Sequence, residues 1–359
     1  MYRPHLEFML SLNEELQAGF PREGNLPWSP YSVASALGVA AAGARGRTYD
    51  ELVRAISPGA DLDGLADVLR RSARLTDADL AVTNTLWMRS GLEFRESYEQ
   101  AVLGWPGGAL RTVDFRGDPE GSLAKINDAV EQDTRGLIKD LLPPGSVHTE
   151  TGAVIVNALY LKVAWQMPFL RSATRPAPFH APSGTRDVPT MHQEERLGYA
   201  TADGWRMATL PTEGEAVMDV LLPDDPDAAL SVGTVVALQE RASRTRMDLA
   251  LPRFRVEATA RLNEPLRGLG VADAFDADRA DFSGIAAVPM FIETAVHKAV
   301  VDVDEHGFEG AAATALSMRM VSLERSRPVP FHVDRPFVVI VRHRKTGGVY
   351  FLARVADPR

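Results

Sequence analysis

The chain has 359 residues, 45% apolar and 24% charged, ordinary values for a globular protein and enough chain to bury roughly three-quarters of its unfolded surface. A net charge of −9 creates an acidic field, which argues against nucleic acid or an anionic membrane surface as a partner. The absence of cysteine excludes disulfides, thiol catalysis and thiolate metal sites, and it leaves the redox compartment open.

The stretch from Met1 to Phe8 has no apolar signal core, and no run approaches the roughly 18 apolar residues of a membrane span. The expectation is a cytoplasmic protein, or a secreted one whose leader has been removed. Ser29-Pro30 opens a helix over 30–43, with Ser29 as cap, Pro30 at the first helical position and Gly43 as stop. Small apolar residues all round predict that this helix is buried. Thr48 and Glu51 have capping-box spacing for a second helix through Ile56. Residues 61–74 and 94–105 read as helices with a strand at 80–89 between them, and 123–133 is amphipathic.

Residues 154–161 form an apolar run of strand length with one amide, Asn157, inside it, the pattern of a central buried strand. Further strands are expected near 217–222, 246–255 and 290–303. Residues 337–342 and 349–355 flank Lys345-Thr346-Gly347-Gly348 as a hairpin. Helices come first, strands dominate later, and no repeat or low-complexity linker interrupts them. That order favours one mixed α+β domain over 1–359.

The most specific segment follows the strand that ends at Val303. Asp304-Glu305-His306-Gly307-Phe308-Glu309 leads into Gly310-Ala311-Ala312-Ala313, and residues 314–327 show no helical period. Taken alone, the tiny-residue run reads as a flexible loop or the start of an alanine-rich helix. A run with nothing to bury also suits a segment that must thread between two strands. There, the side-chain period of two admits only small or neutral residues at alternate positions.

With Val296-His297-Lys298-Ala299-Val300 before it, this pattern resembles the proximal hinge of the serpins, the suicide-substrate protease inhibitors. The resemblance extends along nearly the whole chain, in family order. It takes in 25–34 with Ala36-Leu37, then Ile126-Asn127, 134–138, 156–160, Trp165 and Pro168-Phe169. It continues through 251–254, 281–285, 334–337 and Asp357-Pro358. It implies a fold of three β-sheets with eight or nine helices and an exposed reactive-centre loop, hinge and loop together covering 304–328. It also implies a mechanism: a target serine protease cleaves the loop, forms a covalent acyl-enzyme, and is trapped when the freed hinge inserts into the main sheet. Such a protein is a monomer without catalytic residues, cofactor or metal, and its fold is metastable.

Carried onto this chain, the hinge is Glu305, Gly307, Phe308, Glu309, Gly310, Ala311, Ala312 and Ala313. Phe308 departs from the small or β-branched residue common at its position, so a buried aromatic there either slows insertion or requires a roomy pocket. Ser29, Ser32, Asn157 and His297 correspond to the shutter, where the main-sheet strands part, and a polar network among them is expected. A lone histidine on an apolar strand face is itself an ordinary core residue, and a triad of Ser29 or Ser32 with His297 is disfavoured. Trp165, Arg253 and Glu305 correspond to the breach at the top of the sheet, Arg253 and Glu305 as an exposed pair contributing under about 1 kcal/mol. The alternative for those two is a pair of unrelated surface charges.

Counting forward from Glu305 places the reactive bond at Val321–Ser322, whereas counting back from Pro336-Phe337 places it near Arg325. The forward count is preferred, because the inserting length must match the sheet while the distal side tolerates slack. Val321, Met320 or Leu323 suits chymotrypsin-like or elastase-like proteases; Arg319 or Arg325 suits trypsin-like ones. The apolar reading is preferred. Val163 and Ala353 stand where relatives often carry glycine. The competing classes are an enzyme and a non-inhibitory serpin acting as carrier, chaperone or structural factor. No Gly-x-Ser-x-Gly, His-Glu-x-x-His, phosphate loop or dinucleotide fingerprint supports the first, and Phe308 favours the second.

Overall fold

The computed structural model describes residues 2–226, 228–308 and 327–358. The chain opens with α1 (Arg3–Ala18), β1 (Leu26–Trp28), α2 (Pro30–Gly43), α3 (Gly46–Ile56), α4 (Leu62–Ser72), β2 (Ala78–Arg89), α5 (Glu96–Leu103), β3 (Gly108–Val113) and α6 (Pro119–Asp133). Strands then dominate: β4 (Ala153–Ala164), β5 (Arg175–Ala181), β6 (Gly184–Ala202), β7 (Trp205–Pro211) and β8 (Ala216–Pro223). After α7 (Val232–Arg241) come β9 (Ser243–Pro252), β10 (Phe254–Arg261), α8 (Asn263–Gly268), β11 (Val296–Val303) and β12 (Gly307–Phe308). The last three are β13 (Val329–His332), β14 (Phe337–His343) and β15 (Val349–Val355). The result is a mixed α+β fold with eight α-helices among the described residues, none long and apolar enough to cross a membrane.

The main sheet has six strands in the order β10-β11-β12-β4-β2-β3. The other strands join in one nine-stranded set because β6, 19 residues long, pairs with β5 through its first part, with β7 through its last, and with β9 between. The expected second and third sheets are thus the two ends of one hydrogen-bonded system.

Between the sheets lies α2, packed on β2 and β4 of one and on β15 of the other. Its Ser29 cap forms as expected, the hydroxyl oxygen accepting from the Ser32 N–H at 3.1 Å. Gly38, in the middle of α2, would normally cost the helix about 1 kcal/mol relative to alanine. Here a methyl group would lie 2.1 Å from the Trp105 ring, so the indole occupies the space the side chain gives up.

Three expectations are corrected. The Thr48–Glu51 spacing is not a capping box, since α3 begins at Gly46 and both side chains are buried inside it. Thr48 accepts from the Asp281 N–H, and Glu51 accepts from the Ala272 and Asp273 N–H groups, so the pair ties α3 to a distant loop. The run 246–255 is two strands in different sheets, broken after Pro252 at Arg253, whose N–H turns to the Pro189 carbonyl. The strand expected over 290–303 begins only at Val296; the Ile292 N–H is spent on the Ala274 carbonyl.

Because the Trp105 ring has no free volume beside Gly38, Gly38→Ala is expected to destabilise the fold by about 1–3 kcal/mol. Chemical denaturation of the two proteins, compared at equal slope, checks this.

Candidate functional site at the parted centre of the main sheet

β11 and β4 run parallel and share no ladder among the described residues; the two-residue strand β12 lies between them, antiparallel to both. Asp304 makes the turn into β12, its carboxylate accepting from the His306 N–H at 2.8 Å and the Gly307 N–H at 3.2 Å. Gly307 then passes so close to β4 that a Cβ would sit 2.2 Å from the Val163 carbonyl oxygen. Only glycine fits that approach.

Phe308 is opposite Val303 on one side and Val163 on the other, so the three side chains form one buried row across the strands. Its ring is 2% exposed and stands 5.3 Å, centroid to centroid, from Phe351 of β15. Such a pair contributes about 0.5–1.5 kcal/mol beyond its area. The roomy pocket that Phe308 requires is therefore present, and the ring is in it. Glu309, Gly310, Ala311, Ala312 and Ala313, and the reactive-bond residues Val321 and Ser322 with Met320, Leu323, Arg319 and Arg325, lie outside the described residues.

Above β12 the chain is held by backbone and side-chain bonds. The Trp165 indole N–H donates to the Asp304 carbonyl at 2.8 Å, the Trp165 N–H to the His306 carbonyl, and the Phe169 N–H to the Glu305 carbonyl. Glu305 is 3% exposed, which corrects the expectation of an exposed pair. Arg253, its side chain 54% exposed, reaches only to 4.0 Å of the carboxylate, while the Thr174 hydroxyl donates to it at 2.7 Å. Burial pushes the Glu305 pKa up, but the Thr174 hydroxyl, a backbone N–H, Arg253 and Arg171 together outweigh it and hold the group below its ordinary 4.5. Thr174 and Arg171 carried no signal in the sequence, since both sit on a short irregular turn whose position only the fold sets.

The four shutter residues separate into two groups. The Ser29 N–H donates to His297 Nε2 at 3.0 Å, and Ser29 Oγ serves as the helix cap. Asn157 does not join them; its amide donates to Asn84 on the neighbouring strand β2, and Asn84 donates to the Pro106 carbonyl at 2.6 Å. Sequence reasoning missed Asn84, although Asn84 and Asn157 are register partners in β2 and β4. Neither Ser29 nor Ser32 donates its hydroxyl to the imidazole, as a nucleophile–base pair requires, so the geometry is not that of a triad of these residues. Among the described residues no group of three or more His, Cys, Asp or Glu side chains is placed to hold a metal ion.

At the far end of the same two strands, residues 153–157 of β4 and 296–297 of β11 line with α2 a partly open, mainly apolar cavity of about 90 Å³, to which Val33, Leu37, Ile155, Asn157, Leu266 and His297 contribute. Thus the gap is bridged at the top by two residues and carries a cavity at its other end.

Fold and site together define a class: mixed α+β proteins whose main sheet is parted at its centre and entered there by a hinge strand. The family model described as serpin (serine protease inhibitor) matches residues 5–358, and the chain belongs to the serpin family. It is 34% identical to an uncharacterized serpin-like protein of Thermococcus kodakarensis, over 98% of this chain and 84% of that one. It is also 34% identical to the leukocyte elastase inhibitor of Bos taurus, over 98% and 97%. Among solved structures, thyroxine-binding globulin in complex with thyroxine superposes with a TM-score of 0.87 at 24% identity, covering 100% of this chain and 99% of that one, a likeness of fold.

Thr174→Val removes the hydroxyl at nearly constant shape and leaves the Glu305 carboxylate short of a donor. The expected loss is about 1–3 kcal/mol, read as a lower denaturation midpoint at pH 7. It should shrink as the pH falls below 4.5, where the carboxylate itself takes up a proton.

His297 generates a second expectation. Burial lowers its pKa from 6.5 to about 4, and the Ser29 N–H requires Nε2 unprotonated. A group whose folded pKa lies below its unfolded one contributes stability that is complete above pH 6.5 and is lost as the pH falls toward 4. That contribution is about 3 kcal/mol. His5, equally buried and also lowered to about 4, adds a similar slope. His297→Gln should therefore make the acid-side loss between pH 6.5 and 4 shallower without abolishing it, since His5, His192 and His343 are lowered as well, measured as unfolding free energy against pH.

Proposed function

We propose that this serpin is a suicide-substrate inhibitor of serine proteases, acting as a single-domain monomer. The observation that carries this reading is β12 lying between two parallel strands that share no ladder among the described residues. Two parallel strands that face each other without a ladder are completed by one antiparallel strand between them, and β12 has the place and direction of the first two residues of such a strand. The chain that follows it, Glu309-Gly310-Ala311-Ala312-Ala313, has side chains small or short enough to continue.

In this reading the serine hydroxyl of the target protease attacks the carbonyl carbon of Val321. The Val321–Ser322 amide breaks, an ester to the protease forms, and the amine of Ser322 leaves with the proton delivered by the protease's own histidine. Residues from Glu309 onward then extend β12 downward between β11 and β4, and the esterified protease is carried with them before water reaches the ester. The serpin supplies no catalytic group. What it supplies is free energy, because the completed ladder lies lower than the parted sheet. An apolar residue at Val321 selects chymotrypsin-like or elastase-like targets, which accords with the similarity to a protein named for inhibiting leukocyte elastase.

Incubation with chymotrypsin, elastase and trypsin, each followed by denaturing electrophoresis and mass analysis of the released C-terminal peptide, tests the reading. The expected result is a denaturant-resistant band at the summed mass and a peptide beginning at Ser322. Cleavage at Arg319 or Arg325 by trypsin, with trapping, would reassign the target. Clean cleavage without a covalent band and without a gain in Tm would place the protein among non-inhibitory serpins.

A further inference from the structure

β3 ends the main sheet: it pairs with β2 on one side, and no described strand lies on the other. The Gly107 carbonyl accepts from the Asn84 N–H of β2, and the Val113 carbonyl accepts from the Ser90 N–H. The odd-numbered residues of this stretch therefore turn their backbone groups toward β2. In a strand paired in parallel, alternate residues turn theirs the other way. Those are Leu110 and Thr112, whose N–H and C=O groups make no hydrogen bond among the described residues.

A groove of about 670 Å³ follows this edge. Four consecutive residues, Leu110 to Val113, line it. Successive strand side chains point to opposite faces, so the groove lies over the edge itself and not on one face of the sheet. Its two walls differ. On one side are Phe94 and Leu110, which pack against the main core, with Glu99 of α5. On the other are Trp87 of the second core, the Arg111 guanidinium 5.2 Å from the centre of the Trp87 ring, and Lys125 and Asp128 of α6. Neither Arg111 nor Lys125 has a carboxylate within ion-pair distance among the described residues. Edges are ordinarily blunted by a short strand, a proline or a charge aimed at the newcomer. β3 has six residues and no proline, and its one charge is laid over an indole.

We propose that the free edge of β3 is a docking site for an extended segment of another protein, one that adds as an antiparallel strand and carries a carboxylate between two aliphatic side chains. It stands apart from the reactive loop and does not depend on the inhibitory reading. An antiparallel newcomer exchanges both backbone bonds with Leu110 and both with Thr112, and its residue opposite Arg111 falls in a non-hydrogen-bonded pair, where side chains are closest. Residues directly opposite share a face, about 4.5–5.5 Å apart. The two that oppose Leu110 and Thr112 therefore point to the Phe94 side, where aliphatic groups find apolar contact and Glu99 disfavours an acid. The one between them faces Arg111, where a carboxylate gains both unpaired cations and Asp128 offsets part of the gain. Backbone bonds supply affinity, and the carboxylate supplies selection.

The probe is a blocked pentapeptide, acetyl-Thr-Val-Glu-Val-Thr-amide, compared with the same peptide carrying lysine in place of glutamate. Amide NMR of the full chain is expected to show saturable shifts at Leu110 and Thr112 with the glutamate peptide, and slower hydrogen exchange of those two amides. Arg111→Glu turns an attraction into a repulsion and should weaken binding about tenfold. Thr112→Pro deletes one outward N–H, a position where an edge strand tolerates proline, and should also weaken binding about tenfold. Thr112→Ala keeps that N–H and should bind like wild type. Both positions are exposed, and an unchanged Tm checks that the variants fold. N-methylation of both valines puts the same question without altering the protein, and it should abolish binding. No saturable shift at β3 up to the solubility of the glutamate peptide would overturn the site. Undiminished binding by the methylated peptide would overturn strand addition, and equal binding of the lysine peptide would overturn the selection by charge.

Discussion

Among the described residues the main sheet is continuous through β12 alone. β11 and β4 approach each other as parallel strands, and among the described residues the ladder across that gap runs through Gly307 and Phe308. Unpaired strand edges are costly, and proteins ordinarily cover them or blunt them. Here two edges face one another across a hollow that α2 closes from one side, so the cost is concentrated at the centre of the largest structural layer. Everything distinctive about the molecule follows from that arrangement. The turn at Asp304, the close pass of Gly307, the Phe308–Phe351 contact and the clamp from Trp165 and Phe169 all hold two residues in place at the top of the gap.

The ionisable groups beside the gap are arranged for neutral pH in opposite senses. Glu305 at the top is ionised and gains from Thr174, Arg253 and Arg171, which together exceed the cost of its burial. His297 at the level of the cavity is neutral, because burial disfavours its charged form and because the Ser29 N–H needs a lone pair. Acidification therefore works against both, by protonating the carboxylate that anchors the hinge and the imidazole that receives the N-terminus of α2. The gap is held by groups that change charge on the acid side of neutrality.

Much of this was legible in the residues. The helix cap at Ser29, the buried strand around Asn157 and the C-terminal hairpin follow from local chemistry, and the structure forms them. Other local signals misled, because a tertiary partner outbid the local one. Thr48 and Glu51 have capping spacing but are spent on Asp281, Ala272 and Asp273. Asn157 was grouped with His297, yet Asn84, directly opposite in the register, takes its amide. The helix α7 went unread although Ser231 caps it through the Thr234 N–H, and the long strand β6 went unread because its burial alternates irregularly between two sheet environments.

By itself the sequence determined the family, since that depends on residue types in order along the chain. It also showed that Phe308 departs from the small or β-branched residue that the resemblance leads one to expect at its position. What it did not contain was the seat for that ring, which is built by Val163 from β4, Val303 from β11 and Phe351 from the opposite sheet. Those residues are far apart in the chain, and their distances are fixed by strand register and sheet packing, quantities that no local pattern encodes. For the same reason Glu305 read as a surface charge: its burial is imposed by Thr174 and Trp165, which only the folded chain brings over it.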